Sequence, residues 1–353
     1  MSAHALEFII PGDLERASGG YVYDRSMVAG LRTLGWRVGV HGLDASFPSP
    51  TADALAQAAR VFAELPDRSC VLVDGLALGA MPQLIESHSR RLRVVALIHM
   101  PLAWEFGISP AVAERLQRQE CRALRLVRHV IVTGRSTARA LADGGVDPAR
   151  LSVVEPGVPM TPRPRERPAN GLVKMLCVAT VHEGKGHELL VDALAPLTHL
   201  PWHLRCVGSL TRSPAAVRRL TQRLRGLGLV ERVELVGELP HEALRELYLA
   251  ADLFVLPTLR ESYGLAVAES LAHGLPVVSS RTGAIPELIG ADAGLLIEPG
   301  DRDALHAALL RTLKDGTLRS SLRAGARAAR ARLTPWPRAC ERMGRVLERV
   351  CEL

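Results

Sequence analysis

The segment Leu253-Phe-Val-Leu-Pro-Thr-Leu-Arg-Glu-Ser-Tyr-Gly-Leu-Ala-Val-Ala-Glu-Ser-Leu-Ala-His-Gly-Leu-Pro-Val-Val-Ser-Ser280 passes from one apolar run to the next through a polar loop and a helix. Leu253–Leu256 is short, wholly apolar and closed by a proline, which marks a buried strand. The helix after Gly264 ends at His273-Gly-Leu-Pro276, because glycine closes a helix and proline cannot extend it. Pro276–Ser279 then reads as the next strand. Strand, helix and strand in that order form a parallel crossover unit.

The same alternation continues in both directions. Ahead of the middle of the chain the apolar runs are Leu6–Ile10, Arg37–His41, Val71–Val73, Val94–Ile98, Val130–Val132 and Leu151–Val154. Beyond it they are Lys174–Ala179, Leu204–Val207, Arg232–Val236, Leu253–Leu256, Pro276–Ser279 and Leu295–Ile297. Pro156 to Asn170 separates the two sets with prolines at 156, 159, 162, 164 and 168, which neither continue a helix nor sit in a central strand. The expected fold is therefore α/β, with two doubly wound parallel sheets whose ligands gather at the strand carboxyl ends across a cleft.

A chain of 353 residues exceeds what one core usually serves, and 48% hydrophobic with 23% charged residues is ordinary globular usage. The net charge of +7 admits an anionic partner, but with 4% aromatics the chain lacks the stacking residues of a single-strand nucleic-acid binder. No nucleic-acid partner is expected. The six cysteines never approach within ten residues of one another, so no CxxC pair forms and free buried thiols are expected. The first residues lack a basic n-region, and no run approaches the roughly 18 to 20 apolar residues of a spanning helix. A cytoplasmic protein is expected, at most peripheral to the inner face of a membrane. The arginines at 319, 323, 327 and 330 share a helical face and read as solvated, with weak contact to anionic lipid as the alternative. Arg115, Arg118, Arg122 and Arg125 also read as a solvated face, with a membrane-surface or acceptor-facing patch as the alternative.

The chemistry concentrates in the loop and helix of the opening segment. Gly264 permits close backbone approach, and the first-turn N–H groups and helix dipole favour a phosphate there. Glu261 and Glu269 flank that position. Carboxylates repel a phosphate, so they make sense as acceptors for the hydroxyls of a sugar and a ribose. With seven residues between them, and with the Tyr-Gly-Leu, Ala-x-Glu and His-Gly-Leu-Pro-Val-Val elements, they resemble the Glu-x7-Glu motif of the retaining, nucleotide-sugar-dependent glycosyltransferases of family 4.

That resemblance implies the GT-B fold of two Rossmann-like domains. It places Glu261 on the donor sugar, Ser262, Tyr263, Gly264 and Leu265 over the diphosphate, and Glu269 on the ribose. Val178-Ala-Thr-Val-His-Glu-Gly-Lys-Gly-His187 resembles the family's strand-to-helix segment ending in Lys-Gly, which gives Lys185 the diphosphate. The family's arginine is Thr180 here, and Arg212 is its candidate substitute. In the first half the glycine pair Gly19 and Gly20 matches the pair that faces donor and acceptor, and His99 matches a histidine near the transferred sugar. Arg135 opens a helix after a strand and is a candidate phosphate or acceptor contact, with capping of that helix by Ser136 and surface solvation as the alternatives.

The resemblance divides the chain into an acceptor domain over 1–158, a linker over 159–171, a donor domain over 172–334 and a helix over 335–353 that crosses back to the first domain. His182, Glu183 and His187 lack the spacing of a helical zinc motif, so no metal and no other cofactor is expected. No Walker A loop and no Gly-x-Ser-x-Gly elbow is present. The expected activity is hexosyl transfer with retention, from a nucleoside-diphosphate sugar (UDP favoured) to the hydroxyl of an unidentified acceptor. A sugar phosphorylase, a nucleotide-sugar epimerase and a non-catalytic basic binding protein are the alternatives.

Overall fold

The computed structural model describes residues 4–16, 18–160 and 171–351, so most of the proline-rich linker lies outside the described residues. Residues 4–16, 20–157 and 334–351 form one compact unit, and residues 18–19, 158–160 and 171–333 are grouped in the other.

The first unit is built on β1 (Ala5–Pro11), β2 (Arg37–Leu43), β3 (Cys70–Asp74), β4 (Arg93–Ile98), β5 (His129–Val132) and β6 (Leu151–Val153). They form one parallel sheet in the order β2-β1-β3-β4-β5-β6. The second unit is built on β7 (Val173–Val178), β8 (Trp202–Val207), β9 (Val233–Gly237), β10 (Leu253–Leu256), β11 (Val277–Ser280) and β12 (Gly294–Ile297). Its parallel order is β12-β11-β10-β7-β8-β9, the doubly wound order of dinucleotide-binding folds. Central strands such as β3, β5, β10 and β11 are buried along their whole length, because helices cover both faces of a parallel sheet.

The helix Trp336–Cys351 belongs to the first unit. Ala339, Cys340, Met343 and Leu347 pack with Leu6, Phe8, Tyr23, Met27 and Leu31 on one face of the first sheet. Cys351, at its end, forms a disulfide with Cys70 at the start of β3, with Cα atoms 5.7 Å apart. This corrects the expectation of six free thiols: the partners are 281 residues apart, and only the packing of the last helix brings them together. Such a bridge suits an oxidising environment. No helix among the described residues is long and apolar enough to cross a membrane.

The helix Gly316–Arg330 corrects a second expectation. Arg319, Arg323, Arg327 and Arg330 are half-buried rather than solvated. The Arg319 guanidinium donates to the Thr312 and Leu313 carbonyls, which end the preceding helix Arg302–Lys314, and Arg323 donates to the Asp252 carbonyl at 3.2 Å. A cation there satisfies helix-terminal carbonyls that have no intrahelical donor. On the helix Pro110–Leu126 the expected solvated arginines are indeed exposed, with Arg118 on Glu114 and Arg122 on Glu86.

Candidate active site

In a doubly wound sheet the helices leave opposite faces at one point in the strand order, and their loops part there. In the second unit that point lies between β7 and β10. Lys185 stands in the loop after β7 and Glu261 in the loop after β10. The Lys185 ammonium is bonded to Glu261 Oε1, with both side chains mostly shielded from solvent.

The loops that carry this pair are stitched to each other. The Leu259 N–H donates to the Gly184 carbonyl at 2.8 Å, and the Thr258 hydroxyl donates to the same oxygen at 3.0 Å. Gly186 follows Lys185 with φ at 72°, and a Cβ there would lie 2.1 Å from the Pro257 carbonyl oxygen. Only glycine fits that backbone and that distance. On the other side the Glu261 N–H donates to Thr282 Oγ1 at 3.3 Å and the Ala284 N–H to the Ser262 carbonyl at 3.2 Å.

Gly264, with φ at 92°, turns the chain into the helix Leu265–Ala272. Its first-turn N–H groups precede any intrahelical acceptor, and the positive end of the helix dipole lies among them. Ser262 and Tyr263 are buried just ahead of this turn, and Leu265 begins the helix. Glu269 lies further along it and accepts a hydrogen bond from the Tyr248 hydroxyl at 3.1 Å. The Tyr248 ring stacks on His273 with centroids 4.8 Å apart. Burial pushes the Glu269 carboxyl up to about 7, against the opposing effect of the Tyr248 bond.

Thr180 is half-buried in the β7 loop, and Arg212 is exposed after β8. Burial, followed by the charges of Lys185 and Arg212, holds His182 down to about 4. Its Nδ1 accepts from the Gly184 N–H at 3.1 Å, so the imidazole braces the loop in its neutral form.

Gly20, His99 and Arg135 lie at or near the strand carboxyl ends of the first unit, and Gly19, next to Gly20, is grouped with the second. Gly19 and Gly20 open the helix Gly19–Thr33 after β1, and His99 immediately follows β4. Arg135 opens the helix Arg135–Asp143 after β5; it is exposed and pairs with Glu155 at 3.5 Å. Sequence reasoning missed two residues here, Asp24 and Asp74, whose carboxylates both lie against the His99 ring. Glu120 was missed as well. Its carboxylate accepts from the Leu102 N–H at 3.2 and 3.3 Å, anchoring the loop after His99, and burial pushes it up to about 7.

Two groups among the described residues gather three donor atoms within 4.8 Å: Cys177, His187 and Cys206, and Asp24, Asp74 and His99. In each group the members also hydrogen-bond one another. In the first, the Cys206 and His187 bonds hold the buried Cys177 thiol down to about 5.

Comparison with known proteins agrees with the fold. Over nearly its full length the chain matches sucrose-phosphate synthase from Thermosynechococcus elongatus with a TM-score of 0.82, at 21% identity, covering 98% of this chain and 99% of that one. It matches Anabaena Alr3699/HepE, solved in complex with UDP and glucose, with a TM-score of 0.76 at 18% identity, covering 97% and 99%. The fold is GT-B. Residues 173–315, which hold Lys185, Glu261 and Glu269, match the model of the glycosyl transferases group 1 family.

Among curated relatives, the chain is 29% identical to an MMP alpha-(1->4)-mannosyltransferase of Mycolicibacterium hassiacum, over 76% of this chain and 67% of that protein. It is 33% identical to a D-inositol 3-phosphate glycosyltransferase of Xylanimonas cellulosilytica, over 53% of this chain. The match spans 49% of the latter, so about half of that relative's length is represented. The family and these relatives are glycosyltransferases, in agreement with the resemblance read from the Glu-x7-Glu segment.

Proposed function

We propose that the protein transfers a hexose-type sugar from a nucleoside-diphosphate sugar to an acceptor hydroxyl, with retention and without a metal ion in the transfer step. The observation that carries this reading is the meeting of Lys185 and Glu261 at the β7–β10 switch point, beside the N-terminus of the helix Leu265–Ala272. A lysine, a helix N-terminus and a glycine turn complement a diphosphate, and a carboxylate beside them accepts sugar hydroxyls without competing for it.

In the free protein Glu261 neutralises Lys185. On donor binding the ammonium is shared with the diphosphate, and Glu261 accepts hydroxyl hydrogens from the sugar. As the anomeric bond breaks, negative charge grows on the leaving diphosphate. Lys185 and the first-turn N–H groups are then already aimed at it, which is electrostatic preorganisation. The acceptor hydroxyl attacks from the face the diphosphate leaves, and the leaving phosphate oxygen takes the acceptor proton. Thr180 cannot supply a second positive charge, and Arg212 is the candidate to do so. UDP is favoured as the nucleotide because HepE, of the same fold, is described with UDP and UDP-glucose. The named activity of the mannosyltransferase relative supports a hexose.

Thermal unfolding with UDP-, GDP- and ADP-sugars, with and without EDTA, tests the reading. A ligand at about a hundredfold excess over its Kd stabilises the folded state by ~2.7 kcal/mol. Stabilisation by one nucleotide family, preserved in EDTA, is the expected result. Equal curves with every nucleotide sugar would remove the donor site, and loss of the shift in EDTA would remove metal independence.

A further inference from the structure

The second unit buries a cluster of soft donors that the diphosphate site does not use. Cys177 on β7 and Cys206 on β8 are direct partners in the parallel ladder, so both side chains leave the same face of the sheet. His187 opens the helix His187–Leu194 on that face, directly after the Gly186 turn that is fixed against the Pro257 carbonyl. Its spacing from His182 and Glu183 sets it aside as a ligand in sequence, but the fold brings it to two cysteines instead. Cys177, Cys206 and His187 are 0%, 3% and 3% exposed.

The donor atoms stand at distances a metal can close. Cys177 Sγ lies 3.7 Å from His187 Nε2, and each of the three donor atoms lies within 4.8 Å of the other two. Zinc binds sulfur at about 2.3 Å and nitrogen at about 2.0–2.1 Å, so tetrahedral coordination sets a sulfur and a nitrogen about 3.6 Å apart and two sulfurs about 3.8 Å apart. Side-chain rotation spans the difference. Two sulfurs and an imidazole suit zinc and disfavour magnesium, calcium or manganese, which take oxygen. The charges also close, because two thiolates and one divalent cation sum to zero and leave no net charge in the core.

Coordination through Nε2 places the ring proton on Nδ1, a buried atom with no partner among the described residues. His187 lines a cavity of about 290 Å³ together with Val181, Ala216, Leu220 and Leu259. That cavity has room for the water that such a proton and the fourth zinc position require.

We propose that Cys177, Cys206 and His187 hold a structural zinc ion in the second unit. Cys177 stands one residue before the end of β7 and His187 begins the next helix, so one ion ties both ends of the intervening loop, 178–186, which carries Lys185. On binding, each thiol releases its proton to solvent as its sulfur bonds zinc, with no change in oxidation state. The ion serves the loop and not the transfer step, and nothing in the transferase reading is needed for it.

The test uses the full chain, purified anaerobically and stripped of metal with a chelator, as wild type, Cys206→Ser, His187→Gln and the control Cys121→Ser, whose thiol lies in the other unit. Wild type should take up one equivalent of zinc in a competition titration. Cobalt(II) in its place should show thiolate-to-metal charge-transfer absorption and the d–d bands of a tetrahedral ion. Cys206→Ser should weaken zinc binding by more than about 100-fold, beyond the 10- to 100-fold that loss of an outer-shell partner costs. His187→Gln should do likewise, and it carries the test if Cys206→Ser fails to fold. Cys121→Ser should bind as wild type does. Amide hydrogen exchange over 179–186 should slow when zinc binds.

A stripped wild type that takes up no zinc overturns the proposal, and so does wild-type affinity in folded Cys206→Ser and His187→Gln. Bound zinc that leaves exchange over the loop unchanged overturns the structural role. Every readout is taken without a nucleotide sugar, so none of these outcomes touches the transferase reading, which falls separately if no nucleotide sugar binds.

Discussion

The two sheets gather charge at their carboxyl ends in opposite ways. In the second unit Lys185 and Glu261 meet as an ion pair with both side chains mostly shielded from solvent. In the first unit two carboxylates and one imidazole lie deeper, and the group balances its charge by holding protons. An ion pair of the first kind can open for an anionic ligand. A proton-balanced cluster holds its geometry but responds to pH.

Breaking the ion pair should produce the largest effect. Lys185→Ala removes a charge-assisted phosphate contact and leaves Glu261 uncompensated, so donor affinity should fall by roughly 2–3 kcal/mol, read by calorimetry with the matching nucleotide sugar. Glu261→Ala should depress turnover while leaving the unfolding temperature nearly unchanged. If Lys185→Ala binds donor as tightly as wild type, the switch point is not the diphosphate site.

The disulfide should separate the units next. Reducing Cys70–Cys351 removes a cross-link within the first unit only and should cost about 2–4 kcal/mol there. The stabilisation given by the nucleotide should persist, because its proposed residues lie in the second unit. Differential scanning calorimetry with and without reductant checks both parts, and loss of the nucleotide shift on reduction would show that the units do not behave separately.

Acid titration sharpens the contrast through buried carboxyls. Glu120 and Glu269 have folded-state values near 7, above their unfolded values, so the native state binds more protons. Their contribution to stability is full below the unfolded carboxyl range, falls as pH rises from there to about 7, and stays low above it. Chemical denaturation of Glu120→Gln across that window should show a flatter loss of stability than wild type. An identical slope would mean that Glu120 ionises normally.

The smallest effect concerns Glu269 itself. As a carboxylate it accepts ribose hydroxyls, and protonation removes acceptor capacity. Donor affinity should therefore rise modestly, by about threefold to tenfold, as pH passes upward through 7, and Glu269→Gln should abolish that dependence. A pH-independent Kd in wild type would separate Glu269 from the ribose.

The second unit's site was legible because its chemistry is contiguous. Glu261, Gly264 and Glu269 fall within one loop and helix, and Lys185 falls in a strand-to-helix turn of recognisable composition. All twelve strands overlap the expected runs, most plainly the buried β3, β5 and β10, since strands covered on both faces leave little room for polar residues. The Lys185–Glu261 pairing was not legible, because it depends on β7 and β10 becoming neighbours. Asp24 and Glu120 look like ordinary polar positions of amphipathic helices, and only the placement of His99 and Leu102 shows that they point inward. The arginine face of Gly316–Arg330 was misread for the same reason. Its acceptors, Thr312, Leu313 and Asp252, belong to other elements.

The position of the helix Trp336–Cys351 bears on the order in which the protein can be made. The first unit's sheet is synthesised early, yet Ala339, Cys340, Met343 and Leu347 of its core come last among the described residues. The second unit is in effect inserted into the first, and the Cys70–Cys351 bridge closes a covalent ring around that insert. On the ribosome the later unit is therefore the earlier one to complete its core, while the earlier half waits with one sheet face only partly covered.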